Sequence, residues 1–107
     1  MNNDLIQVED FQGRVLSFIE KAKASTEGIQ FIFDTEINSP IVFSSTEGIN
    51  LFRVIQEAIN NAIKHGSPNQ IKICLKELSN NFQIIISDNG SGFDKEKFLT
   101  GNGLDIM

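Results

Sequence analysis

Residues 51–66, with the sequence LFRVIQEAINNAIKHG, decide the fold because their side chains separate into two faces at helical spacing. The apolar face is a continuous stripe formed by Leu51, Phe52, Ile55, Ala58, Ile59, Ala62 and Ile63. The polar face holds Arg53, Glu57, Asn60, Asn61 and Lys64, with His65 at its margin. Two adjacent asparagines are unusual in mid-helix, where Asn has a poor propensity and competes for backbone hydrogen bonds. The stretch predicts an amphipathic helix whose polar face is either simply solvated or holds a ligand.

The elements around this helix follow from the same kind of pattern. Residues 44–47, SSTE, supply the hydroxyls and early carboxylate of its N-terminus, and residues 66–69, GSPN, form a strong stop. A first helix is predicted over residues 4–25 and a short extended piece over 41–43, and alternation predicts strands over 29–37, 70–78 and 82–87. The last two strands form a hairpin. This order predicts an α+β fold, a two-layer sandwich of one mixed sheet with helices packed on one face.

The composition indicates one modest domain over residues 1–107 and excludes several functions. A net charge of −5 argues against binding to nucleic acid or to an anionic membrane. No apolar run approaches the about 20 residues that span a bilayer. The single cysteine, Cys74, fits a reducing cytoplasm, and its alternating surroundings predict a buried hydrophobic residue instead of a nucleophile. One cysteine and one histidine make a protein-built zinc site implausible.

Two glycine clusters follow the second hairpin strand: DNGSGFD at residues 88–94 and GNGL at residues 101–104. Closely spaced glycines let the backbone approach a ligand and cradle phosphates, although either cluster alone is also typical of an ordinary turn. Asp88 is more specific, because a carboxylate at the end of an apolar strand is partly buried and needs a hydrogen-bond donor. That donor is either an adenine amino group or the backbone of a turn that Asp88 stabilises.

Taken together, the series EAINNAIKH, DNGSGF and GNGL resembles the ATP-binding domain of sensor histidine kinases. This superfamily, which has the Bergerat-type fold, also includes type II topoisomerases and the ninety-kilodalton chaperones. The subgroup that looks most similar is that of the two-component kinases resembling the nitrate sensors, in which EAxNNAxKH replaces the more usual NLxxNAxKY. Residues 57–65 carry this motif here and are called the asparagine box. The resemblance covers nearly the whole chain, including the lead-in helix and the first strand.

The resemblance implies a role for each matching residue of the helix. The side-chain oxygen of Asn61 would ligate Mg²⁺ between the phosphates of ATP, which suits the preference of this ion for oxygen ligands. Lys64 would neutralise phosphate charge, and His65 would lie near the phosphates or the ribose. Glu57 would orient or deprotonate a water, or tune the metal site, although a surface ion pair with Lys64 explains it equally well.

The resemblance also implies roles for the glycine clusters. Asp88 would accept the adenine amino hydrogen, and Gly90 and Gly92 would bring the backbone close to the base. Gly101, Gly103 and Leu104 would begin a helix beneath the triphosphate and offer its free amides. The segment 95–100 between the clusters would be a short ATP lid.

By this resemblance, the chain donates the γ-phosphate of ATP to a histidine on a separate dimerisation domain, and a response regulator receives it next. His65 is the only histidine here, and its place in the asparagine box indicates a ligand-facing or merely polar residue, not the phosphoacceptor. The family continues with a further helix and two closing strands, so we expect a C-terminally incomplete fragment, inactive alone. An open sheet edge would then favour self-association. We expect a cytoplasmic location without membrane contact by this segment, in a parent protein that could be membrane-anchored. The alternatives are a regulatory module without turnover and a hydrolytic ATPase supported by Glu57.

Overall fold

The computed structural model describes residues 5–66, 68–79 and 82–90, and the backbone of residues 95–101. The strands are β1 (Leu5–Gln7), β2 (Gln30–Glu36), β3 (Val42–Ser44), β4 (Gln70–Glu77), β5 (Phe82–Asp88) and β6 (Lys95–Gly101). The helices are α1 (Val8–Ala24) and α2 (Ser45–Asn61), and α2 continues directly into a π-helical turn over Ala62–Gly66. None of the described helices is long and apolar enough to cross a bilayer.

The four-stranded sheet has the order β2-β4-β5-β6 and is mixed. Strand β2 runs parallel to β4, whereas the β4–β5 and β5–β6 pairs are antiparallel. A parallel pair needs a long crossover connection, and here β3 and α2 supply it. A separate two-stranded sheet pairs β1 with β3.

Alternation along the two central strands divides the sheet into a covered and an open face. Ile71, Ile73 and Leu75 of β4 are buried, and the register places Ile73 opposite Ile86 and Leu75 opposite Ile84. Both helices cover this face with their apolar stripes, which are Val8, Phe11, Val15, Ile19 and Ala22 of α1 and Leu51, Ile55 and Ile59 of α2. The predicted α+β sandwich with helices on one face of a mixed sheet is therefore confirmed.

Phenylalanine rings join the two layers and the small sheet. Phe43 of β3 lies between Phe11 and Phe82, with ring centroids 5.5 Å and 5.2 Å away. A second edge-to-face pair, Phe18 with Phe52, joins α1 to α2 at 6.1 Å. Such pairs contribute about 0.5–1.5 kcal/mol beyond the area that they bury. The buried ring of Phe43 thus joins the small sheet to the core, and Ile6 of β1 packs against the same core.

The N-terminus of α2 has the cap that its sequence predicts. The amide of Glu47 donates to Ser44 Oγ at 3.1 Å, and the amide of Ser44 donates to Glu47 Oε1 at 3.4 Å. This reciprocal capping box satisfies amide groups that have no partner within the helix. At the other end, the prediction of a regular helix up to Gly66 is only partly right, because the last turn is π-helical.

The prediction that the first helix begins at residue 4 is wrong. Leu5–Gln7 forms strand β1, and α1 begins at Val8, whose amide donates to the Ile41 carbonyl oxygen at 2.8 Å. In the strand the backbone of β1 pairs with β3, and the extended conformation turns Ile6 toward the core while Leu5 is 55% exposed.

Two further expectations are corrected by the sheet. Residues 95–101, predicted to contain a lid and the first residue of a helix, pair with β5 as strand β6. The extended segment gives hydrogen-bond partners to the backbone amide and carbonyl groups along β5. From the sequence, an open sheet edge is expected there instead. Gly101 therefore ends a strand and does not begin a helix.

Cys74 is not a buried core residue. It lies half-buried on the open face of β4, where burial and the carboxylates of Glu36 and Asp34 raise the pKa of its thiol. A raised pKa keeps the thiol protonated and so lowers its reactivity. The prediction that Cys74 is not a nucleophile therefore agrees with its surroundings.

Candidate functional site

The candidate site lies where strand β5 ends. Asp88 is the last residue of β5 and is partly buried, and its Oδ1 accepts a hydrogen bond of 2.7 Å from the amide of Gly90. Among the described residues this is the one hydrogen bond to the Asp88 carboxylate, and none of them donates to Oδ2. The donor seen in the structure is therefore the backbone of the turn, which is one of the two explanations that the sequence offers.

The next residue, Asn89, fastens this turn to the start of β4. Its side-chain oxygen accepts two hydrogen bonds, from the amide of Asn69 at 2.8 Å and from the amide of Gln70 at 3.0 Å. Its own amide donates to the Gln70 carbonyl oxygen at 3.4 Å. The Asn69 carbonyl oxygen in turn accepts from the amide of Gln30 at 2.9 Å. The start of β2, the start of β4 and the end of β5 are thus held together.

Two glycines make the closest approach between the turn and the end of the π-helical segment. A Cβ on Gly90 would lie 2.8 Å from the Gly66 carbonyl oxygen and 2.9 Å from the Gly66 Cα. Real Cβ atoms are very rarely so close to their neighbours, so this contact requires glycine at position 90. A Cβ on Gly66 would lie 3.3 Å from the Gly90 Cα. Backbone therefore packs directly on backbone, and Gly66 and Gly90 are both buried.

The polar face of α2 and the π-helical turn carry the predicted phosphate-side residues. Glu57 and Asn61 are exposed on successive turns of α2, and Lys64 and His65 are exposed within the π-helical turn. π-helical turns are uncommon and occur often at functional sites. Because this turn ends at Gly66, against Gly90, it brings Lys64 and His65 to the same end of the sheet as Asp88.

Not all of the predicted site residues lie at the end of the sheet that carries Asp88. Gly101 pairs with Phe82 at the opposite end of β5 from Asp88, a separation of roughly 20 Å at about 3.3 Å per residue. Gly92, Gly103 and Leu104 lie outside the described residues. Two cavities, of about 620 and about 530 Å³, lie elsewhere and are lined by none of the predicted site residues.

Two contributors to the site are absent from the sequence-based prediction. Asn89 was read only as part of a glycine turn, and Gly66 only as a helix stop. An asparagine in a turn is a hint of side-chain bonding to nearby backbone. Its actual partners, Asn69 and Gln70, are about 20 residues away in sequence and follow only from the register of the hairpin.

Comparison with known proteins gives the family. The model of the histidine kinase-, DNA gyrase B-, and HSP90-like ATPases matches residues 46–106, which include all of α2 but its first residue, the π-helical turn and Asp88. The chain belongs to this family of ATPases.

Individual relatives are consistent with the sensor-kinase branch of the family. The chain is 29% identical, over 89% of its length, to a sensor-like histidine kinase of Chloroflexus aurantiacus. It is 37% identical, over 50% of its length, to the histidine-protein kinase/phosphatase DegS of Brevibacillus brevis. The aligned parts are 16% and 14% of those two proteins, so each match spans less than a fifth of the relative's length.

Solved structures support the fold. The ATP-binding domain of PrrB from Mycobacterium tuberculosis superposes with a TM-score of 0.62 at 22% identity, over 81% of this chain and 60% of that one. The catalytic domain of the histidine kinase ThkA superposes with a TM-score of 0.63 at 17% identity, over 84% of this chain and 60% of that one.

Proposed function

We propose that this chain binds ATP together with Mg²⁺ and, within its parent protein, donates the γ-phosphate to a histidine on a separate dimerisation domain. The observation that carries the proposal is the junction of two chain segments. One segment brings the carboxylate of Asp88, and the other brings the exposed amide and cationic side chains of α2 and its π-helical turn. Family membership supports ATP as the ligand.

In this proposal, adenine is recognised at the end of β5. Oδ2 of Asp88 accepts a hydrogen from the exocyclic amino group, while Oδ1 stays on the amide of Gly90. A guanine has a carbonyl oxygen at the corresponding position, and it would face the carboxylate without a hydrogen to share. Asp88 thus selects adenine by the direction of one hydrogen bond.

The phosphates lie along the polar face of α2. The Asn61 amide oxygen and the neighbouring Glu57 carboxylate are exposed oxygen ligands of the kind that Mg²⁺ prefers, so the residues present fit this ion. Mg²⁺ would offset phosphate charge there. Lys64 adds a positive charge, and His65 offers a ring nitrogen to the phosphates or the ribose. Glu57 would orient a water or tune the metal site there.

Phosphoryl transfer requires little from the chain beyond positioning and charge stabilisation. Asp88 and its turn hold one end of the nucleotide, and Lys64 holds the other. In the proposal the acceptor histidine belongs to another domain, because His65, the one histidine of this sequence, is assigned to the phosphates or the ribose. Response regulators receive the phosphate at a later step and do not contact this chain in the proposal.

Titration calorimetry with Mg-ATP tests the adenine site directly. Asp88→Asn replaces the accepting Oδ2 with a donating amide, and we expect affinity for ATP to fall about 10- to 100-fold, the loss typical of a hydrogen bond to a charged group. Asp34→Asn is the matched control, because Asp34 is exposed on β2 and pairs with Lys72 instead. Absence of heat from Mg-ATP in the unaltered chain would refute the proposal.

A regulatory module without turnover is the second candidate, favoured by the position of Gly101 at the end of a strand instead of the start of a helix. The two are separated by mixing the chain with the histidine-bearing domain of its parent protein and ATP labelled at the γ-phosphate. Label on the histidine that disappears with Lys64→Ala identifies a kinase. Binding of ATP without labelling identifies the module, and phosphate release that is abolished in Glu57→Gln identifies a hydrolase.

A further inference from the structure

We infer that Asn89 is a positioning residue that fixes the distance between the adenine side and the phosphate side of the nucleotide site. The inference rests on the proposed function and deepens it, because it explains how the site favours a ligand long enough to reach both Asp88 and Lys64. Asn89 need not touch the nucleotide to do this. It acts through the two segments on which Asp88 and Lys64 are carried.

The hydrogen bonds of Asn89 extend the hairpin by one step beyond its last regular pair. Ile71 of β4 pairs with Asp88 of β5, so the regular ladder ends there. One residue further, the Asn89 amide donates to the Gln70 carbonyl oxygen, and its side-chain oxygen accepts from the Gln70 amide at 3.0 Å. The side chain takes the place of a backbone acceptor. Gln70 is therefore held at both its amide and its carbonyl group by one residue.

The third hydrogen bond carries this constraint toward the phosphate side. The Asn69 amide donates to the same Asn89 oxygen at 2.8 Å, and Asn69 is three residues beyond Gly66, where the π-helical turn ends. Gly66 itself lies against Gly90. Asn89 therefore lies in the turn between Asp88 and Gly90. Its hydrogen-bond partners, Asn69 and Gln70, belong to the segment that follows the π-helical turn. The two segments are joined at a backbone contact and at a two-bond side-chain clamp.

This joint determines the relative position of Asp88 and Lys64. Lys64 lies two residues before Gly66, and Asp88 lies one residue before Asn89, so both functional side chains are within two residues of the joint. A ligand that reaches only Asp88, such as adenosine, does not sense the separation of the two segments. A ligand that reaches both, such as ATP, gains its full affinity only when that separation is correct.

The test is the ratio of the dissociation constants of adenosine and Mg-ATP, measured well below the unfolding temperature. Asn89→Ala removes both side-chain bonds, and we expect it to lower this ratio about 10-fold, equivalent to about 1.4 kcal/mol. Asn89→Asp keeps an acceptor oxygen at the same place and should restore the ratio to within about threefold of the unaltered chain. Asn89→Ser, which is shorter but still polar, serves if the alanine variant fails to fold, and its ratio should also fall.

A purely structural role would not change the ratio. Ser44→Ala, which removes the cap of α2 at its far end, provides the control, because it lowers stability and should leave the ratio as it is. An unchanged ratio in the Asn89→Ala and Asn89→Ser variants, with ATP still bound by the unaltered chain, overturns the inference alone. Failure of the unaltered chain to bind ATP overturns the proposed function, and the inference with it.

Discussion

Replacing Gly90 with alanine tests the backbone contact on which the candidate site depends. The new Cβ would lie 2.8 Å from Asp88 Oδ1, 2.8 Å from the Gly66 carbonyl oxygen and 2.9 Å from the Gly66 Cα. Ordinary contacts begin at 3.4 Å, so each neighbour must retreat by at least about 0.5 Å. Two of the three are backbone atoms of a buried residue and cannot swing away as a side chain does.

The magnitude follows from the packing of that place. Inserting one carbon atom into a well-packed site costs about 1–3 kcal/mol. At this chain length each kcal/mol corresponds to a fall of about 4 °C in the unfolding midpoint. The displaced group also includes the Asp88 carboxylate, so affinity for Mg-ATP should fall together with stability. Urea denaturation gives the free energy of unfolding, and calorimetry gives the affinity.

Gly13→Ala is the matched control for this substitution. Gly13 is exposed in the middle of α1, and a Cβ there would meet nothing within 4 Å. Alanine is the better helix former, so this variant should gain about 0.5–1 kcal/mol and keep the affinity for ATP. If Gly90→Ala unfolds at the same urea concentration as the unaltered chain, the close contact between Gly66 and Gly90 does not exist in solution, and the joint argued from it fails.

Two further outcomes concern stability away from the site. Ser44→Ala removes the acceptor of the Glu47 amide and should lower the free energy of unfolding by about 1 kcal/mol. Thr46 is exposed in the first turn, so Thr46→Ala should change it by less than about 0.5 kcal/mol. Urea denaturation compares the two variants, and equal losses would contradict the cap. Hydrogen bonds from Ser39 and Asn38 lower the pKa of Glu77 below its ordinary 4.5, so the folded loop gains stability above that pH and loses it as the pH falls through the lowered pKa. The protection of the Asn38 amide, which is its intrinsic exchange rate at each pH divided by the observed rate, should therefore fall on acidification. A Glu77→Gln chain in which this protection still falls with acid would show that another group is responsible.

The regular elements were predictable because their signals are local. The spacing of Leu51, Ile55 and Ile59 predicts the buried face of α2, and the alternation of Ile71, Ile73 and Leu75 predicts the covered face of β4. Strand β1 was missed for the opposite reason. A three-residue strand has too little periodicity of its own, and its central residue Ile6 pairs with Phe43 of β3, about 37 residues further along the chain.

The candidate site was predictable in its residue types but not in its architecture. The order of the asparagine box and Asp88 indicated a nucleotide site from the sequence, and the structure brings the π-helical turn and Asp88 to one end of the sheet. The clamp of Asn89 could not be foreseen, because it requires the exact register of β4 on β5. The strand at residues 95–101 was missed because its glycine and lysine content is also typical of a loop.

The parallel pairing of β2 with β4 has a consequence for the order in which the chain assembles. Gln30 pairs with Gln70, which closes a loop of about 40 residues, whereas β4 and β5 are separated by a short turn. Closing the longer loop costs more chain entropy, so we expect the β4–β5 hairpin and α2 to form early and β2 to dock late. The end of the sheet that carries Asp88 would then form before β2 is in place. If the proposed function is correct, ATP present during synthesis would bind and stabilise a chain that is only partly folded.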